Sequence, residues 1–147
     1  MNAPLRAMTV TLQGAFGEHW LITPGVIDQQ AIDAYESSHS LSLACAISDR
    51  TDWPVILHLA HADGGGLALI RAWAQVPSGR LVDINGCQPR SVAEGALGAR
   101  DFLHEVAADD SKKLLSEFAD HMPTQDPLLA GIMAQPVIEA CLRQAQP

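Results

Sequence analysis

Residues 40–86 read SLSLACAISDRTDWPVILHLAHADGGGLALIRAWAQVPSGRLVDING. At the start of this stretch, Leu41, Ala44 and Ile47 recur at the spacing of one helical face, which predicts a largely buried helix over residues 40–51. The Trp-Pro pair that follows favours extended backbone, because the residue before a proline is sterically excluded from helical geometry. The next run, VILHLA, is too short for a typical helix and rich in branched side chains, so it predicts a central strand.

The second half of the stretch predicts a β-hairpin. Over residues 67–76, small or apolar side chains alternate with Arg71, Trp73 and Gln75, so one face packs on a core and the other is exposed for chemistry or binding. A Pro-Ser-Gly turn follows, and the next residues return antiparallel to the first strand. A turn centred on its serine would place Trp73 opposite Asp83 and Arg71 diagonal to Asp83, on the exposed face.

These patterns together predict one α+β domain, in which a buried helix packs on an antiparallel sheet and C-terminal helices cover it. The sheet would include residues 54–61, 67–76 and 80–84. Helices are also predicted at residues 28–37, from Ser91, at 109–121, and in two short segments that begin at Asp126 and Pro136. Residues 8–12 fit a strand or the end of a helix, and residues 101–106 fit a strand or a helical turn. The domain would span residues 1–147, with a lead-in at 1–39, a core at 40–86 and a helical cover at 87–147.

An ordered set of residues in the core carries a resemblance to a known family: Trp53-Pro54, Ala72-Trp73, Pro77, Gly79-Arg80, Asp83 and Gly86. The set resembles small bacterial and phage-type domains with a papain-like, or transglutaminase-like, core. The resemblance implies a cysteine nucleophile at a helix N-terminus, a histidine base on a strand, and an Asp or Asn that orients the histidine. It assigns Ser40 to the nucleophile position, Arg71 to the base position and Asp83 to the third position.

These replacements indicate a catalytically degenerate domain, because an arginine cannot accept a proton at ordinary pH. We therefore expect a pseudoenzyme that binds another macromolecule through Arg71, Trp73 and Gln75. The net charge of -8 opposes direct binding to nucleic acid and favours a protein partner with a basic surface. An accessory or counter-defence inhibitor is one such role. Arg71 and Asp83 fit either a structural ion pair or a docking arginine beside Trp73.

The alternative function is an enzyme, either an amide hydrolase or deamidase or an acyl transferase. Its nucleophile would be Ser40 or Cys45, and a nearby histidine would be the base. Cys45 lies between apolar helix positions, which favours a small buried residue over a nucleophile. His39 adjoins Ser40, but adjacent side chains rarely point at each other. His58 and His61 are the other candidate bases.

Composition narrows the remaining possibilities. The 147 residues are 48% hydrophobic, which is sufficient for one domain with a substantial core. The three cysteines are widely spaced and give neither a disulfide framework nor a metal pair, so we expect reduced thiols. His58 and His61 face opposite sides of a strand, and the glycines at 64–66 lack the following Lys-Ser/Thr of a phosphate loop. No metal or cofactor is therefore expected. The lack of a membrane-length apolar run favours a cytoplasmic protein that does not bind membranes.

Overall fold

In a computed structural model, which describes residues 8–144, the chain forms an antiparallel sheet with helices packed on it. The strands are β1 (Val10–Gln13), β2 (His19–Ile22), β3 (Val55–His61), β4 (Leu67–Gln75), β5 (Leu81–Asp83), β6 (Gly86–Gln88) and β7 (Asp101–Val106). The helices are α1 (Gln29–Glu36), α2 (Ser40–Thr51), α3 (Arg90–Gly95), α4 (Ala108–Ser111), α5 (Leu114–Glu117) and α6 (Pro127–Gln144), with a 3-10 turn at Ala119–His121. The α+β prediction, with its buried helix and antiparallel hairpin, is confirmed.

Five strands form the main sheet in the order β6-β5-β4-β3-β7, and every neighbouring pair is antiparallel. Strands β1 and β2 form a separate hairpin. In the β4–β5 pairing Ala74 lies opposite Val82, so Asp83 comes next to Trp73 as the sequence predicts. The segment that the sequence left open at 101–106 is the strand β7, which pairs with β3 along its whole length.

Helix α2 ends through a set of local hydrogen bonds that redirect the chain into β3. Asp52 adopts left-handed backbone geometry, with φ of 63°, and its N–H donates to the Ser48 carbonyl at 2.8 Å. The Ser48 hydroxyl donates to the Trp53 carbonyl at 2.6 Å, and the Trp53 N–H donates to the Thr51 hydroxyl at 3.1 Å. The helix is therefore tied to the first residue of the extended Trp-Pro segment, which fixes where β3 begins.

The core lies on both sides of the sheet, and α2 is central to it. On one side, Leu41 and Ala44 of α2 pack on sheet residues that include Leu57 and Ala72. The opposite edge of α2 joins a larger cluster with α6, α1 and the β1–β2 hairpin. On the other face of the sheet, α3 covers a smaller cluster of apolar residues: Ile56, Trp73, Leu81, Ala93 and Leu103.

Two sequence predictions differ from the structure. The predicted helix at 109–121 is broken into α4, α5 and a 3-10 turn. The two segments predicted at the C-terminus form the single helix α6, which continues through Pro136. The segment predicted as a lead-in contributes Leu12 and Ile22 to the largest core cluster. Residues 1–7 of the predicted lead-in and 145–147 of the predicted cover lie outside the described residues.

Between residues 8 and 144, the structure contains no helix with both the length and the apolar character needed to cross a membrane.

Candidate functional site

Ser40, at the nucleophile position of the resemblance, is the first residue of α2 and is buried. Its hydroxyl oxygen accepts a hydrogen bond at 3.3 Å from the backbone N–H of Ala72, the residue after Arg71. The helix N-terminus is thereby attached to the middle of β4. Within the described part of the chain, no histidine ring forms a hydrogen bond with the Ser40 hydroxyl. The geometry supplies a structural tether at this position and no general base.

Arg71 and Asp83, at the base and third positions, form an ion pair. Asp83 is only 3% exposed, and its second carboxylate oxygen accepts from the Asn85 N–H at 2.9 Å. The Arg71 guanidinium carbon also lies 5.4 Å from the centroid of the Trp73 ring. The structure therefore pairs Arg71 with the buried Asp83 carboxylate, whereas Ser40 contacts only the backbone of the residue after Arg71. Of the two accounts of Arg71 and Asp83, the ion pair is the one the structure contains.

The expected exposure of the Arg71, Trp73 and Gln75 face is wrong for Trp73. Its side chain is 3% exposed because α3 and β5 pack over it, and its buried indole N–H has no hydrogen-bond partner among the described residues. Gln75 is half-buried and donates to the Gly79 carbonyl at 3.4 Å, within its own turn. Only Arg71 and Gln75 of the three predicted binding residues therefore keep any contact with solvent.

His58 has a partner that the sequence does not predict. The His58 ring nitrogen Nε2 lies 2.8 Å from Asp101 Oδ2, although the residues are far apart in the chain. His58 is 6% exposed, and its ring stacks on Trp73 with 6.5 Å between centroids and 11° between planes. Asp101 also accepts from the Gly98 N–H, and this bond, followed by the His58 contact, lowers the pKa of the Asp101 carboxyl. A histidine inside a buried apolar run requires a polar partner, which was the available signal.

A cavity of about 530 Å³ lies between the sheet, α3 and the end of α1. His58, Arg71 and Trp73 line its base. At its rim the Asn85 side-chain amide donates to the Glu36 carboxylate at 3.2 Å. The site therefore offers a cation, two amphipathic rings and one carboxylate at its rim, and within residues 8–144 no nucleophile there is paired with a base.

The alternative catalytic residues have other contacts. His39 is 1% exposed, and its Nε2 lies 2.8 Å from the Gln13 carbonyl oxygen, so it tethers α2 to the N-terminal hairpin. Burial lowers the pKa of His39. The Cys45 sulfur donates to the Ser111 carbonyl at 3.6 Å, and burial raises the pKa of this thiol to about 12. Neither arrangement activates a nucleophile, because a reactive cysteine needs a lowered pKa.

Searching family models, curated proteins and solved structures for relatives of the chain returns no match. In the range 8–144, His, Cys, Asp and Glu side chains form no group of three or more suited to hold a metal ion.

Proposed function

We propose that this chain is a catalytically degenerate papain-like domain that binds a protein with a basic surface. One observation carries the proposal: the residue at the base position, Arg71, is a cation held by buried Asp83. A guanidinium in this state cannot accept a proton from a nucleophile. The Ser40 hydroxyl is engaged with the backbone of Ala72, which supports the same conclusion.

The surface charge supports a basic partner. The chain carries a net charge of -8; Glu36 is exposed at the rim of the cavity, and Asp33 is exposed almost one helical turn before it on α1. Complementary charge accelerates association and aligns partners more than it adds affinity. An accessory or counter-defence inhibitor that occupies a partner's basic, nucleic-acid-binding surface is the form of this function that we propose.

The test begins with capture of interacting proteins from the native host and identification of the bound species. The informative variant is Asp33→Lys with Glu36→Lys, which reverses charge at the cavity rim. The matched control is Glu117→Lys with Asp120→Lys, which makes the same charge change at exposed positions on the α5 side, away from the cavity. We expect the rim variant to lose the partner and the control to retain it. Equal loss in both variants would indicate attraction to net charge alone.

The purified complex is then titrated with salt. If docking is electrostatic, the affinity of the complex should fall progressively as ionic strength rises through about 0.1 to 0.5 M, because the screening length shortens to a few ångströms over this range. Peptide and glutamine-amide substrates are assayed in parallel with the wild-type chain, Ser40→Ala and Cys45→Ala. Turnover that either substitution abolishes, in a chain that captures no partner, would replace the binding proposal with the hydrolase alternative.

A further inference from the structure

Two of the three cysteines meet in the structure although they are distant in the chain. Cys87 lies in β6, where it pairs with Val82, and Cys141 lies near the end of α6. Both line a cavity of about 470 Å³ next to Arg80, and both belong to the same apolar cluster. Cys141 is 2% exposed, whereas Cys87 is partly exposed.

The packing of α6 along β6 brings Cys87 and Cys141 together. Cα atoms of the two elements come within 8 Å of one another. A Cβ atom on Gly86 would lie 3.8 Å from the side-chain oxygen of Gln144. Residues 141 and 144 are almost one helical turn apart and share a face of α6. The face of α6 that carries Cys141 and Gln144 therefore packs against the consecutive β6 residues Gly86 and Cys87.

We propose that Cys87 and Cys141 form a site of reversible oxidation, in which hydrogen peroxide converts the two thiols into an intramolecular disulfide. The Cys87 thiolate attacks one peroxide oxygen, the O–O bond breaks, and the departing oxygen leaves as water. The resulting sulfenic acid is attacked by the Cys141 sulfur, which forms the S–S bond and releases a second water. The two thiols lose two electrons, and the peroxide gains them.

The surroundings assign the two roles. The partly exposed Cys87 is the sulfur that a peroxide in the cavity reaches first, because Cys141 beside it is buried. Burial, followed by interaction with the Cys87 thiol, raises the pKa of Cys141 to about 12. Cys141 is assigned as the resolving sulfur by its position, buried in the same cluster beside Cys87; as it attacks the sulfenic acid, its proton passes to the departing hydroxyl, which leaves as water. Cys45 is directed to the Ser111 carbonyl and serves as the internal control.

The experiment treats the reduced full-length chain with hydrogen peroxide, blocks remaining thiols by alkylation, and maps the peptides with and without dithiothreitol. We expect the loss of two hydrogen atoms, a cross-linked Cys87–Cys141 peptide, and full recovery of both thiols on reduction. Cys45→Ser should behave as the wild type, whereas Cys87→Ser and Cys141→Ala should give no intramolecular link. In Cys141→Ala, Cys87 should stop at the sulfenic acid, which a dimedone probe traps.

A second measurement does not depend on the folding of the variants. Oxidised wild-type protein should unfold at a higher urea concentration than the reduced protein, because the cross-link joins β6 to α6. Oxidation of Cys87 without a link to Cys141, a link that includes Cys45, or only intermolecular links would each overturn the proposal. Each of these outcomes leaves the protein-binding proposal untouched, since that proposal depends on the other cavity.

Discussion

At the scale of single residues, Asp83 is a buried carboxylate whose charge is balanced by one guanidinium. Arg71→Met keeps apolar contact with Trp73 and removes the cation. We expect the free energy of unfolding to fall by about 3 kcal/mol, the effect of leaving a buried carboxylate unpaired. Urea denaturation, monitored by circular dichroism, measures this change in the free energy of unfolding. The double variant with Asp83→Asn should recover much of the loss, and an unchanged stability of Arg71→Met would show that water, not Arg71, balances the carboxylate.

His39 should make stability depend on pH. Burial lowers the pKa of His39 below the ordinary value of 6.5. The hydrogen bonds to Gln13 and Gln125 and the charge of Asp126 raise this pKa, but by less than burial lowers it. As pH falls from about 7.5 to about 5.5, the unfolded chain binds a proton at this position that the folded chain does not. The free energy of unfolding should therefore decrease with falling pH. His39→Gln can retain a bond to the Gln13 carbonyl and should give a shallower decrease; an identical pH profile would contradict the assignment.

Cys87 should be the first thiol to react. Cys87 and Cys45 are both partly exposed, but burial raises the pKa of Cys45, like that of Cys141, to about 12. In the native reduced chain, a neutral-pH titration with a disulfide reagent should find three thiols, with Cys87 labelled fastest. Labelling in urea, where all three thiols are exposed, is the control for intrinsic reactivity. Rapid labelling of Cys45 in the folded chain would restore the cysteine-hydrolase alternative.

Contacts within one hairpin of the site could be predicted from the sequence, whereas contacts between segments far apart in the chain could not. The sequence correctly places Arg71, Trp73 and Asp83 together, because strand alternation and a short turn determine which side chains lie opposite one another in a hairpin. The pairing of His58 with Asp101 was not found, because it depends on β7 joining β3 and the sequence left that segment open. The burial of Trp73 was missed for a similar reason, since α3 covers it from a distant position.

At the scale of elements, the β4–β5 turn depends on one glycine. Gly79 has φ of 95°, and a Cβ there would meet only the Gln75 side-chain nitrogen, at 4.0 Å. Gly79→Ala should therefore destabilise the fold by about 1–2 kcal/mol through left-handed backbone alone. Gly95→Ala is the matched control, because this exposed helical glycine has no neighbour within 4 Å of the added methyl group and no positive φ. Equal stabilities of the two variants, measured by urea denaturation, would contradict the role of the turn.

The C-terminal elements show where local patterns are insufficient. Proline normally begins a helix or breaks it, because it lacks an N–H and its ring crowds the preceding turn. Pro136 nevertheless lies inside α6, whose buried residues on both sides of it pack in the main core. At residues 109–121 the opposite occurs, since apolar residues at helical spacing are divided between short turns that pack on α2 and β3. Tertiary packing overrides local preference in both segments.

At the scale of the whole molecule, the predicted core at 40–86 is not a self-sufficient unit. Leu12 and Ile22 of the N-terminal hairpin lie in the same cluster as Ile47 of α2 and Met133 of α6. The hydrophobic pattern of residues 40–86 was sufficient to predict the central helix and strands. It could not show that this helix also needs apolar partners from both ends of the chain, because those contacts join segments far apart in sequence.

This arrangement leads us to expect that the described domain unfolds as one cooperative unit. The indole N–H signals of Trp20 in β2, Trp53 after α2 and Trp73 in β4 report on three regions, and all three should disappear at the same urea concentration. Leu12→Ala should lower the free energy of unfolding by about 2–5 kcal/mol and shift the three signals together, because Leu12 is 4% exposed in the shared core. Leu21→Ala, which is 57% exposed on the same hairpin, should leave the midpoint unchanged. Loss of the Trp20 signal alone at low urea would show that the N-terminal hairpin is an independent appendage and would contradict the single core.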